Sequence, residues 1–152
     1  RDRCGYPYGY PYWYPYGYTY GYSCGYPYEY PHEILLQQLK QILEINDVDL
    51  IWIPRVNTVE GFTDEDVKRW NWNISEQGWV NYPDYQSRVY RRNDIIRWKR
   101  PLHELIKGAK TYSHLPPHEE LSLYHPKTKE KQEAQNKFYM DNFHQNLLVR
   151  NG

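Results

Sequence analysis

Residues 29–43 read EYPHEILLQQLKQIL, and this stretch divides the chain into two kinds of sequence. From Pro31 onward, Leu35, Leu36, Leu39, Ile42 and Leu43 recur at helical spacing and form one stripe. Pro31 suits the first turn of a helix, where a missing N–H is no loss. The spacing predicts a helix over 32–45. On the N-terminal side the period is four and the chemistry differs: GYPY, GYPY, WYPY, GYTY, GYSC, GYPY and EYPH follow one another from Gly5 to His32. Proline in the third place fixes φ near about −65° and removes a backbone donor, which excludes a helix and opposes a central strand. An extended chain, polyproline-II-like or loosely β, remains, alongside a disordered low-complexity tail. In the extended form a period of two puts every Tyr on one face, a ribbon able to stack on a copy of itself.

Beyond the first helix, VDLIWIPRV predicts a strand at 48–53, with Asp49 interrupting the run and Pro54 ending it. Thr63 followed by Asp64, Glu65 and Asp66 is an N-cap with acids on the first turn, so 64–71 reads as a short helix. SRVYRRNDIIRW reads as a hairpin of two strands around Asn93-Asp94, and 110–115 as a further strand. Pro126 is expected to open a long polar helix whose sparse apolar positions suit a surface location. The alternation of helices and strands indicates a mixed α/β region. The organisation is then a repeat over 1–31, a body over 32–144 and a tail over 145–152.

At 152 residues the chain has room for one modest domain, and the repeat removes about thirty of them. The chain is polar, with a mean hydropathy of −1.00 over its whole length. Nineteen basic residues balance nineteen acidic ones, so no field favours nucleic acid or an anionic membrane, and no apolar run is long enough to span a bilayer. Arg1 stands where an initiator Met would, and no signal-peptide core follows, which reads as a processed chain or a fragment of a longer one. Cys4 and Cys24 both lie in the repeat. They read as free thiols of a cytosolic protein or as one disulfide, and the body, without cysteine, has no thiolate zinc site and no thiol nucleophile.

Three constellations could carry chemistry. Residues 79–88, WVNYPDYQSR, gather Trp79, Asp84, Gln86 and Arg88 around a helix-breaking Pro83. Flat rings with fixed polar groups suit a sugar or a base, and equally a core aromatic cluster with a structural acid–arginine pair. His103-Glu104 could supply a general base, although such dipeptides are common. His125, if it caps a helix opened by Pro126, would be kept neutral by the helix dipole and able to ligate a metal, or would simply cap the helix. His114 and His118 are four apart, but Pro116 and Pro117 separate them, so they share no helical face. P-loop, GxGxxG, GxSxG and HExxH motifs are absent.

Taken in order, EYPHEILLQQL, WIPRVNTVEG, WVNYPDYQSRVYRR, IIRWKRPLHELIKG and LPPHEELSLYHPKTKEKQEAQNKFY resemble the C-terminal half of family 2 glycosyltransferases, in the branch common in phages and large viruses. The resemblance covers about residues 28 to 143. It implies a partial GT-A-like mixed sheet with flanking helices, and inverting transfer of a sugar from a nucleotide-diphospho-sugar to an acceptor hydroxyl. By that resemblance Glu104 is the base that deprotonates the acceptor, His103 accompanies it, and Asp84, Gln86 and Arg88, with Trp79, line the donor and acceptor pocket. His125 and Glu29 would help hold Mn²⁺ or Mg²⁺ over the diphosphate.

The departure from the family pattern falls on the stretch that opened this section. An Asp-x-Asp-Glu motif is expected just before EYPHEILL, and the residues here are Tyr26, Pro27, Tyr28 and Glu29. Tyrosine is a poor ligand for a hard cation near neutral pH. The repeat stands where the nucleotide-binding half of the fold would be. The resemblance therefore implies a truncated transferase, cytoplasmic in that reading. The alternative is a structural protein whose Tyr-rich repeat self-associates into fibres or an adhesive segment, extracellular in that reading.

Overall fold

The computed structural model describes residues 18–20, 29–91, 93–99 and 105–148. Along the chain these form β1 (Tyr18–Tyr20), β2 (Tyr30–Pro31), α1 (Glu33–Ile45), β3 (Leu50–Ile53), β4 (Arg55–Glu60), α2 (Asp64–Trp70), β5 (Gln86–Arg91), β6 (Arg97–Lys99), β7 (Leu105–Lys107), β8 (Tyr112–His114), a 3-10 turn at Glu119–Leu121, β9 (Leu123–Thr128) and α3 (Lys129–Leu148). The architecture is mixed α/β. A four-stranded sheet has the order β1-β5-β3-β8, a three-stranded one β2-β9-β4, and β6 and β7 form a pair. The chain divides into two compact units, residues 1–56 with 83–125, and residues 57–82 with 126–152.

In the first unit the leucine stripe folds as the spacing predicts. Leu35, Leu39 and Leu43 of α1 are buried together with Ile51 and Ile53 of β3, Val89 of β5, Leu115 and Leu123. Burying a leucine of this kind stabilises by about 1.5–3 kcal/mol relative to leaving it exposed, so this one stripe anchors the unit. The helix starts one residue later than Pro31 suggests. Pro31 ends β2, opposite Leu123 of β9, and His32 is the N-cap, its Nδ1 accepting the N–H of Ile34 at 3.1 Å. At the other end the Asn46 side chain and backbone N–H both donate to Ile42 O, each at 2.9 Å.

β3 is the hub of the four-stranded sheet, antiparallel to β5 and parallel to β8. Opposite Ile51 stands Val89, but opposite Trp52 stands Ser87, so Arg88 is an extra residue, a β-bulge. The expected hairpin around Asn93-Asp94 does not form. Both edges of β5 are taken, one by β3 and the other by β1, and β6 pairs antiparallel with β7 instead. Asn93 turns the intervening loop by accepting the N–H groups of Ile95 and Ile96 on its side-chain oxygen.

β1 comes from the repeat, and its place follows from composition. Among the repeat units from Gly5 to Cys24, GYTY and GYSC are the ones without proline, and β1 is the YTY of the first of these. Among the described residues it lies at the edge of the sheet, beside β5.

In the second unit, α2 is closed by a capping box. Thr63 Oγ1 accepts the Asp66 N–H while Asp66 Oδ2 accepts the Thr63 N–H at 2.9 Å. The Lys129 ammonium sits 2.8 Å from the same Asp66 oxygen, and these bonds hold the buried Asp66 carboxyl below its ordinary value. Asn71 ends α2 in the left-handed region, φ 52°, a conformation asparagine tolerates. The Trp70 and Trp72 rings then meet at 4.7 Å, with Phe62 edge-on to Trp72 and the Arg69 guanidinium over Trp70.

The long polar helix forms, but Pro126 does not open it. β9 runs straight through Pro126, and α3 begins at Lys129. β2 is only two residues long and pairs with Leu123 and Tyr124, so the missing N–H of Pro126 takes nothing from that ladder. Among the described residues no helix is long and apolar enough to cross a membrane.

Candidate functional site

Four residues singled out by the sequence meet in the first unit. Glu29, just ahead of β2, accepts Arg88 Nε on Oε2 at 2.7 Å and Arg88 Nη2 on Oε1 at 3.3 Å. Its Oε1 also accepts Arg55 Nη1 at 2.8 Å. Arg55 in turn donates Nε and Nη2 to Asp84 Oδ2, at 2.9 and 2.6 Å. The Gln86 amide closes the series on Asp84 Oδ1 at 3.0 Å. The order of contacts is therefore Arg88, Glu29, Arg55, Asp84, Gln86.

Local structure explains each position. The bulge in β5 sets Arg88 out of the ladder register and toward Glu29, which carries its guanidinium to 5 % side-chain exposure. Arg55 follows Pro54, whose ring breaks the run between β3 and β4. Two carboxylates against two guanidinium groups leave the cluster formally neutral, the condition under which charges tolerate burial. Burial pushes the Glu29 carboxyl up, but the Arg88 and Arg55 charges and hydrogen bonds outweigh it and hold the group below its ordinary value. Burial likewise opposes the charge on Arg55, and Asp84 and Glu29 restore it. Asp84 is the least buried of the four charged members, with 31 % of its side chain exposed, and Gln86 beside it is half-buried.

The expected roles change in three places. Glu29 stands where the resemblance puts a metal ligand, yet both of its oxygens are held by guanidinium groups. Two adjacent positive charges oppose a divalent cation there, and Glu29 acts as their counterion. His125 is not a helix cap: it sits in the middle of β9 and is fully buried, so the helix-dipole argument for a neutral ligand does not apply to it. Among the described residues there is no group of three or more His, Cys, Asp or Glu side chains placed to hold a metal ion. Arg88, expected to line a pocket, is instead spent on Glu29.

The remaining candidates divide. Trp79 belongs to the second unit, where its N–H donates to Ser75 Oγ at 3.1 Å and its ring packs edge-on to Tyr82 at 4.8 Å, closing a turn. Tyr85, between Asp84 and Gln86, donates its hydroxyl to Leu115 O at 2.7 Å and braces His114 edge-on, while His114 stacks on Trp52. His103 and Glu104 lie outside the described residues, as do Cys4, Cys24, Tyr26 and Tyr28. Arg55 escaped the sequence reading. Its signal was an arginine inside the apolar run WIPRV, because a charge there must find an acid once the strand is buried.

No protein family, curated protein or solved structure matches the chain.

Proposed function

We propose that residues 28–143 are the C-terminal half of a GT-A type family 2 glycosyltransferase, and that the half-buried Asp84–Gln86 end of the ion network is its sugar-binding surface. The observation that carries this reading is the convergence of Glu29, Asp84, Gln86 and Arg88. The resemblance assigns Asp84, Gln86 and Arg88 to one motif and Glu29 to another, and Arg55 joins the two in one hydrogen-bonded network. A carboxylate and an amide held rigidly side by side are the kind of pair that recognises the adjacent hydroxyls of a sugar. In the transfer itself Glu104 would take the proton of the acceptor hydroxyl as that oxygen attacks the anomeric carbon, inverting it, while the nucleotide diphosphate leaves.

The test is a titration of nucleotide-diphospho-sugars and simple glycosides into ¹⁵N-labelled chain. Amide shifts are expected at Asp84, Tyr85 and Gln86 with at least one sugar, lost in Asp84→Asn and Gln86→Ala. Any hydrolysis of the sugar nucleotide is expected to vanish in Glu104→Ala. Shifts at residues 84–86 with no sugar, or equal shifts in the two variants, would overturn the reading.

A further inference from the structure

We propose that Asn73 is the acceptor of an N-linked glycan, displayed on the turn that follows α2. Asn73, Ile74 and Ser75 read Asn-x-Ser with no proline between, and Asn73 is the asparagine of the sequence that has a hydroxyl residue two places on. Such a triplet is the recognition unit of transferases that place an oligosaccharide on an asparagine amide. A triplet this short also arises by chance. What singles out this one is how the turn holds it.

The turn is closed by the backbone of Asn73 and leaves its side chain uncommitted. The Asn73 N–H donates to Asn81 Oδ1 at 2.8 Å, and Asn73 O accepts the Asn81 N–H at 2.7 Å. Ile74 bridges to Val80, and beyond it the Ser75 N–H donates to Trp79 O at 3.0 Å. Asn81 takes up the left-handed region, φ 55°, in making its side of the closure. Asn73 itself is exposed, and its amide makes no hydrogen bond to any described residue. Other asparagines are spent on the fold. The Asn46 amide donates to Ile42 O, and Asn81 and Asn93 accept backbone N–H groups on their side-chain oxygens. The asparagine that carries the triplet is thus one whose amide does no structural work. A sugar on its Nδ2 costs the turn no contact.

In the step itself, Asn73 Nδ2 bonds to the anomeric carbon of a lipid-linked oligosaccharide diphosphate. The bond from that carbon to the diphosphate oxygen breaks, the lipid diphosphate leaves with the electron pair, and the amide nitrogen gives one proton to a base of the transferase. In the closed turn Ser75 Oγ accepts the Trp79 N–H at 3.1 Å, so the recognition hydroxyl is engaged. Transfer therefore precedes closure, on the extended chain, and the turn then forms with the glycan outside it. Asn73 belongs to the second unit, so this modification does not rest on the Asp84–Gln86 reading.

Expression of the full chain in eukaryotic cells behind a cleavable secretory leader tests this. A separate Asn-Ala-Thr acceptor fused after Gly152 marks the molecules that reached the secretory lumen, and only those are scored. Wild type and Ser75→Thr are expected to lose two steps of electrophoretic mobility shift on treatment with a peptide N-glycosidase. Asn73→Gln and Ser75→Ala are expected to lose one, that of the fused acceptor. Mass spectrometry of the treated wild-type chain should find Asn73 converted to aspartate. A single step in wild type, or two steps in Asn73→Gln, would overturn the proposal.

Discussion

Replacing Glu29 by glutamine removes one charge and almost no volume, and its effect follows from the ion network. Glu29 has 3 % of its side chain exposed and receives three hydrogen bonds from two guanidinium groups. In Glu29→Gln the buried Arg88 loses its counterion, and the new amide NH₂ points a donor at a donor. Removing one member of a buried ion pair costs about 3–5 kcal/mol, because the partner is left charged and dry. A domain has only about 5–15 kcal/mol in total, so this is a large share. With a urea dependence of about 2 kcal/mol per molar, the midpoint should fall by about 2 M. The assay is urea unfolding followed by tryptophan fluorescence. The double variant Glu29→Leu with Arg88→Met, which removes charge from both partners, should recover most of the loss. Acid gives an independent check. The folded Glu29 carboxyl lies below its unfolded value, so the stabilisation is complete above the unfolded carboxylate range and is lost as pH falls through the folded value. Glu29→Gln should lack that portion of the acid dependence. A Glu29→Gln chain within about 0.5 kcal/mol of wild type would refute the reasoning, since it would mean that water reaches Arg88.

Thr63→Ala should lower stability by about 1 kcal/mol through loss of the α2 cap, read as a lower unfolding midpoint, while Thr63→Ser should not. Lys129→Met should remove part of the hold on the Asp66 carboxyl, so its titration, followed by carboxyl NMR, should move upward toward the ordinary aspartate range. Gly108→Ala should disrupt the β6–β7 pair. The residue has φ +94°, and an added Cβ would lie 2.4 Å from Ile95 O, which a backbone atom cannot easily yield. A cost above about 1 kcal/mol and faster amide exchange at Leu105–Lys107 are expected. Leu39→Ala in the α1 stripe should cost about 2–5 kcal/mol, measured by the same urea titration.

Periodicity made α1 legible because one face of that helix does all the burying, and Thr63 with its acids made α2 legible because capping is local. The strands at 50–53 and 112–114 were also readable from β-branched and aromatic content. What sequence reading missed was pairing. Nothing within 86–99 says that both edges of β5 are already occupied, so a local turn signal at Asn93-Asp94 suggested a hairpin that the sheet has no room for. Pro126 misled for a related reason: proline opens helices, but it also survives in a strand beyond the reach of a short neighbour such as β2. Of the candidate site, Asp84 and Gln86 were visible as a motif. Arg55 and the role of Glu29 were not, since a counterion is defined by what lies against it across many residues of chain.

The bulge at Arg88 has a consequence for how the chain finds its fold. A one-residue slip turns every side chain of a strand to the other face of its sheet, so register is strongly specified where one face is buried. Here a slip of β5 against β3 would move the extra residue and carry Arg88 away from Glu29, leaving its guanidinium without that carboxylate. The misaligned sheet would thus carry an unmatched buried charge and the energetic cost that goes with it. The ion network that shapes the candidate site thus adds a charge-matching condition to the alignment of β5 with β3.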